Sequence, residues 1–340
     1  MQNQKITSIE LGRLIAIFVI VAMHCQMFLT YFLYQETPWV GLIFNQSTRF
    51  AVPLFFLISG YLIQPKLTAA PIETLKSYCA PLIRVFLVWS VICLLMPFNL
   101  QTVVTEGYLV ERSGYWGYLA QAPINTLLEG GLVHLWFIPA LMFAVLISAV
   151  LIKTDKARLL LPIAIVLYIY GVLAGSYQNI TELWTPFFTR NGPFFSTLMF
   201  TIGFMIRQKN IQATALQGAL MALVGMALHF TEAYLLVEYE QSFNSNDFLF
   251  GTMLWGTGIF FFLLAKPNLG SSRWVSNLSK SVLPIYVAHL PIIIVMMNVT
   301  GALQLTGPAK DAAVFSGTII LTLLLVKGIE KTPLNRWLFR

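Results

Sequence analysis

The sequence predicts an all-α fold, a polytopic integral membrane bundle of about ten transmembrane helices with both termini cytoplasmic. Three observations predict it. Of 340 residues, 57% are hydrophobic and only 10% are charged, against about 25% charged in soluble domains. Apolar runs near the length that crosses about 30 Å of hydrocarbon recur from end to end. The Lys and Arg residues gather in alternate loops, as the positive-inside rule requires.

Apolar windows bounded by charge or by Gly, Pro and Asn place the spans at roughly 9–33, 45–64, 79–98, 133–152, 158–176, 192–206, 212–235, 248–265, 281–298 and 312–329. The first lacks the charged start, short apolar core and A-x-A site of a signal peptide, so it is expected to be retained. The longest loop, about 99–132, is broken by Gly107, Gly114, Gly117 and Pro123, and its "YWGYLA" stretch reads as an interfacial aromatic segment. An even number of spans puts both termini on one side. With the N-terminus inside, 16 of the 21 Lys and Arg residues, Lys5 among them, lie in cytoplasmic segments. Arg112, Arg190 and Lys310 lie outside, and Arg13 and Arg49 within spans. Glu232, Glu238, Glu240 and Asp247 cluster in one outer loop. The expected organisation is a single membrane domain over 1–340 with no appended soluble domain. The net charge of +7 is accounted for by basic loops facing anionic headgroups, so membrane lipids and not nucleic acid are the expected partners. Cys25, Cys79 and Cys93 show no CxxC spacing and read as small apolar packers, without disulfide or metal.

Polar residues inside such spans are costly and point to function. Arg13 and His24 stand eleven residues apart in the first span. At about 100° per residue they share one helix face, about 16 Å apart along the axis. Arg13 alone also reads as a snorkelling cation. In the second span, Arg49 precedes Pro53 and Ser59-Gly60. It reads either as an interfacial arginine before a kinked packing helix, or as a cation facing the bundle interior beside His24. His134 and Trp136 open the fourth span, and Arg190 and Asn191 open the sixth. In the ninth, Tyr286 and His289 share a helix face between Pro284 and Pro291, which makes an irregular helix expected there. His229 has no such company and reads as structural. Carboxylates, the usual currency of proton and cation transport, are nearly absent from the spans. The inventory suits an anionic or acyl-activated ligand, with histidine as base or nucleophile.

These pieces resemble the acyltransferase-3 family of integral membrane O-acyltransferases: Arg-x10-His (Arg13, His24), "RFAVPLFFLISGYL" from Arg49, "HLWF" from His134, "RNGPFF" from Arg190, and S-x-x-x-x-Y-x-x-H (Ser281, Tyr286, His289). The likeness covers essentially the whole length and is strongest to the short members that decorate bacterial surface polysaccharides. Gly12 departs from the leucine often found before the first arginine. The resemblance implies a multi-pass protein of the bacterial inner membrane. Such a protein moves an acyl group, usually acetyl, from cytoplasmic acyl-CoA (acetyl-CoA as donor substrate) to a hydroxyl of a glycan or lipid-linked saccharide. It implies catalytic roles for His24, Arg13, Arg49 and His134. Arg190, Asn191, Trp136, Ser281, Tyr286 and His289 are the expected substrate-binding set. A flippase or transporter of an anionic lipid-linked sugar, or a non-catalytic partner in an assembly complex, are the rival readings.

Overall fold

The computed structural model describes residues 6–340, so Lys5 lies outside the described residues. The helices run, in order, α1 (Thr7–His24), α2 (Trp39–Ser47), α3 (Ala51–Ala69), α4 (Pro71–Leu95), α5 (Leu100–Glu106), α6 (Tyr108–Gln121), α7 (Pro123–Glu129), α8 (Phe137–Lys153), α9 (Leu160–Leu173), α10 (Gln178–Thr181), α11 (Pro193–Gln208), α12 (Ala215–Leu235), α13 (Phe250–Ala265), α14 (Arg273–Leu278), α15 (Val282–Ala302), α16 (Gly307–Glu330) and α17 (Asn335–Leu338). No β-strand forms among the described residues beyond one isolated bridge between Tyr34 and Thr37. The chain is a polytopic helical membrane protein.

Every predicted window falls on a helix, but among the described residues only seven segments have the length and composition to cross: Thr7–His24, Trp39–Ala69, Pro71–Leu95, Val133–Lys153, Ala215–Tyr239, Arg273–Ala302 and Gly307–Glu330. The other three windows hold shorter helices, Ala157–Leu173, Phe250–Ala265 and the 16-residue α11. Sixteen residues rise about 24 Å, short of a 30 Å core.

Two boundaries differ from expectation for physical reasons. The first helix ends at His24, not near 33. Beyond it Gln26, Phe28, Phe32, Gln35 and Glu36 take positive φ, and Asp311 of α16 ties this loop down, accepting from the Phe28 amide at 2.7 Å and the Tyr31 hydroxyl at 2.9 Å. The second window splits at residues 48–50, where Arg49 N–H donates to Gln46 and Ala51 N–H to Thr48. Pro53 lies in the first turn of α3, where a helix loses no bond to proline. It starts the helix and does not kink it. The expected loop at 99–132 carries α5, α6 and α7.

The chain forms two compact units. The first comprises Met1–Val19 (described from residue 6), Gln46–Ala80 and Pro139–Val282. Within it α12 packs along α13, and α11 packs against α3 and α9. Phe56, Phe195, Phe200, Phe260 and Tyr168 fill the interior, and Phe195 stacks on Phe248 at 4.5 Å. The α3–α11 crossing rests on two glycines: a Cβ at Gly60 would strike the Phe200 carbonyl, and one at Gly203 the Leu57 carbonyl. The close approach expected at Ser59-Gly60 is therefore present, a small-residue contact between helices of the kind that holds membrane bundles together. Gly60→Val is expected to force the helices apart and cost on the order of 3 kcal/mol, the upper range for overpacking. A thermal melt in detergent checks this, and an unchanged midpoint would refute the close-packed crossing.

The second unit comprises Ile20–Asn45, Pro81–Ile138 and Leu283–Arg340. Here α4 holds the C-terminal turn: Trp89 Nε1 donates to the Leu338 carbonyl at 2.8 Å, its ring stacks on Phe339, and Arg84 lies over Trp337. Arg112 is fully buried, paired with Glu111 and lying over the ring of Phe98 at 4.2 Å. Glu111 also accepts from the amides of Phe98 and Asn99. The Arg112 hydrogen bond, with these amides, holds its carboxyl below the usual range despite burial.

Candidate functional site

In the first unit, three helix starts each carry one member of an ionic cluster. Arg49 occupies the turn before α3, Arg190 and Asn191 precede α11, and Asp247 precedes α13. Asp247 bridges the arginines, with Oδ1 2.9 Å from Arg49 and Oδ2 2.7 Å from Arg190. Arg49 also donates to the Asn244 carbonyl at 2.8 Å, and Arg190 lies over the Phe188 ring. Burial alone would push the Asp247 carboxyl up. The neighbouring Arg190 and Arg49 outweigh that and hold it below the ordinary carboxylate range. Together these three side chains carry a formal charge of +1.

Beside this cluster His229 of α12 is fully occupied. Gln46 Oε1 can only accept, so His229 carries its hydrogen on Nε2, and Nδ1 accepts from the Thr252 hydroxyl at 2.8 Å, whose oxygen accepts from Leu249 N–H at 2.7 Å. His229 Nε2–H then donates to Gln46 Oε1 at 2.8 Å, and Gln46 Nε2 to the Asn246 carbonyl. A histidine with both nitrogens engaged in a buried chain is a structural element. Glu232, one turn on, accepts from the Phe250 and Gly251 amides and so caps α13.

The second unit gathers the other three histidines. His24 ends α1, His134 lies in the 3-10 turn Val133–Trp136 ahead of α8, and Tyr286 and His289 lie on α15. The His24 and His289 rings are 5.3 Å apart, His134 and His289 5.2 Å, and His134 and Tyr286 5.7 Å. The Tyr286 hydroxyl donates to the His134 carbonyl, and His134 Nε2 lies 3.0 Å from the Val287 carbonyl. That two-way clamp joins the turn before α8 to α15. His289 Nδ1 lies 2.6 Å from the Tyr286 carbonyl. Imidazoles so assembled are suited to proton transfer at a reacting hydroxyl.

Arg13 and His24 both ride on α1 and therefore share the face their spacing predicts. Arg13 is half-buried, with Tyr78 and Glu10 as its electrostatic neighbours, and Tyr78 hydrogen-bonds Ser59. Gly12, the departure from the family pattern, faces Leu263, whose side chain occupies the space a Cβ would need. Arg49 belongs to the first unit and His24 to the second; the partners found for Arg49 are Asp247 and Asn244. Trp136 packs against Phe137, and Ser281 lies in the turn before α15. α15 is a continuous helix through Pro291 and not visibly broken. The sequence reading passed over Asp247, counted only as one of several outer-loop acids. Its signal was position, directly before an apolar helix and thus at the membrane edge. Asp311 was missed likewise, one residue before the predicted tenth span.

The match to a family model describing an acyltransferase domain extends over residues 6–327. Among curated proteins, an amino-acid racemase of Enterococcus faecalis is 29% identical over 216 residues, 59% of this chain and 28% of its own length. A serine/alanine racemase of Enterococcus gallinarum is 27% identical over 252 residues, 68% of this chain and 33% of its own. The chain thus spans about a third of the length of these relatives. No solved structure matches. With the family model covering nearly every described residue, and the arginine and histidine motifs set at helix ends within it, the chain belongs to the acyltransferase-3 family.

Proposed function

We propose that the protein is an integral membrane O-acyltransferase that moves an acyl group, acetyl by the family's usual chemistry, from cytoplasmic acyl-CoA to a hydroxyl of a surface glycan or lipid-linked sugar. The observation that carries this reading is His24, at the end of α1 against His289 and on the Arg13 face. In this mechanism His24 takes the proton of the acceptor hydroxyl as its oxygen attacks the thioester carbonyl. The C–O bond forms, the C–S bond breaks, and the CoA thiolate leaves with a proton. A covalent acyl-imidazole on His24 is the two-step variant. Arg13 binds donor phosphates or the thioester oxygen. Arg49 and His134 stabilise or position, while Arg190, Asn191, Trp136, Ser281, Tyr286 and His289 bind acceptor.

In its finer form the proposal takes the protein for an inner-membrane enzyme of the kind that O-acetylates enterobacterial common antigen, with both termini cytoplasmic and the acceptor at the outer leaflet. A second reading, a flippase or transporter of an anionic lipid-linked sugar, draws on the excess positive charge of the Arg49–Asp247–Arg190 cluster. The deciding experiment supplies radiolabelled acetyl-CoA to the purified protein in nanodiscs and follows CoA release and label on extracted lipid-linked glycans. Labelled glycan supports the transferase. No CoA release, together with glycolipid flipping in liposomes, supports the transporter. Arg13→Lys is expected to raise the KM for acyl-CoA about tenfold, the equivalent of roughly 1.4 kcal/mol, through loss of the planar bidentate fork. Unchanged donor affinity would refute the donor-binding role.

A further inference from the structure

His134 and His289 differ from His229 in one respect. A carbonyl only accepts, so the ring nitrogen facing it carries the hydrogen. His134 therefore bears its hydrogen on Nε2, towards the Val287 carbonyl, and His289 on Nδ1, towards the Tyr286 carbonyl. The opposite nitrogens, His134 Nδ1 and His289 Nε2, hold lone pairs. Both are buried and neither has a hydrogen-bond partner. Buried acceptors left unmatched are costly and rare, and they mark a place where something binds.

The cause of the His134 tautomer is covalent. Pro291 has no N–H, so the carbonyl four residues earlier, that of Val287, loses its partner in the helix. In a membrane helix a carbonyl freed in this way needs another donor, and His134 Nε2–H supplies it at 3.0 Å. A proline in α15 thereby decides which nitrogen of a histidine 157 positions away is basic.

We propose that His134 Nδ1 and His289 Nε2 form a docking station for a neutral polyol, each nitrogen accepting from one of its hydroxyls, with Pro291 as the positioning residue that fixes the His134 tautomer. Two lone pairs on rings 5.2 Å apart accept hydrogen bonds and repel carboxylate or phosphate. Any anionic part of the substrate is held elsewhere. The His24 ring, 5.3 Å from His289, places a third imidazole next to the docked group. That one of these hydroxyls is the acyl acceptor rests on the acyltransferase reading; the tautomers and the preference for a neutral donor do not.

His134→Gln and His289→Asn test it, because each retains an N–H close to the original donor position while removing the accepting ring nitrogen. Protein labelled with 15N-histidine in nanodiscs is expected to show His134 Nδ1 and His289 Nε2 as unprotonated nitrogens. Methyl N-acetyl-glucosaminide, a neutral alcohol, should shift both resonances, and acetate neither. Pro291→Ala should convert His134 to a tautomer mixture and leave His289 unchanged. In the transfer assay, both histidine variants should raise the acceptor KM at least tenfold with donor KM unchanged, an effect a purely structural hydrogen bond would not produce. Absence of transfer in the wild type would overturn the acyltransferase reading alone, since the resonance shifts still report the site. Protonated nitrogens at these two positions, or resonances that do not respond to the glycoside, would overturn the docking station.

Discussion

Protein carrying His24→Ala folds, binds acyl-CoA and transfers almost no acyl group: that is the largest expected effect on activity. Alanine is the best helix former, and the exchange falls at the last residue of α1. The helix therefore persists while the imidazole beside His289 is lost. Removing a general base costs about 10²–10⁴-fold in rate. If His24 also carries the acyl group, the loss is complete and no labelled enzyme accumulates. Single-turnover transfer of radiolabelled acetyl in nanodiscs, wild type against variant, measures it. Near-normal turnover would remove His24 from the chemistry.

The largest effect on stability is expected from Asp247→Asn. The substitution removes the carboxylate that bridges Arg49 and Arg190, whose side chains are 14% and 19% exposed, and leaves their guanidiniums without it. Breaking a buried ion pair from one side costs about 3–5 kcal/mol; the 28% exposure of Asp247 puts the expectation near the lower figure, about 3 kcal/mol. The pH dependence has a definite sign. Asp247 has a lower pKa folded than unfolded, so between the two values the unfolded chain binds more protons and stability rises with pH. Its contribution is fully present above the unfolded value of about 3.9 and disappears as pH falls through the folded one. The melting difference between wild type and Asp247→Asn should hold constant from about pH 5 to 8 and narrow only below about pH 4. A gap that closes near neutrality would assign the effect to another group.

Arg13 and His24 illustrate what a local pattern can carry. Their separation within one helix already defines a common face, because the rotation per residue is a property of the backbone and needs no partner. The ten apolar windows were legible for the same reason, and each holds a helix. The limits of the windows were less so. Hydropathy does not register that Asp311 secures the loop after His24, nor that a helix with Pro53 in its first turn begins two residues after Arg49.

Composition, span positions, the Arg13–His24 face and the family motifs were determined by the sequence alone, since each depends on neighbours within a few turns or on residue identity. Pairing was decided only by the tertiary structure. Arg49 meets a carboxylate 198 positions away, His229 a glutamine 183 away, and His134 a carbonyl 153 away. Such contacts follow from helix packing over distances at which periodicity says nothing. They separate His229, engaged at both nitrogens, from His134, which keeps a lone pair on Nδ1 because the Val287 carbonyl, freed by Pro291, takes its Nε2–H in the folded unit.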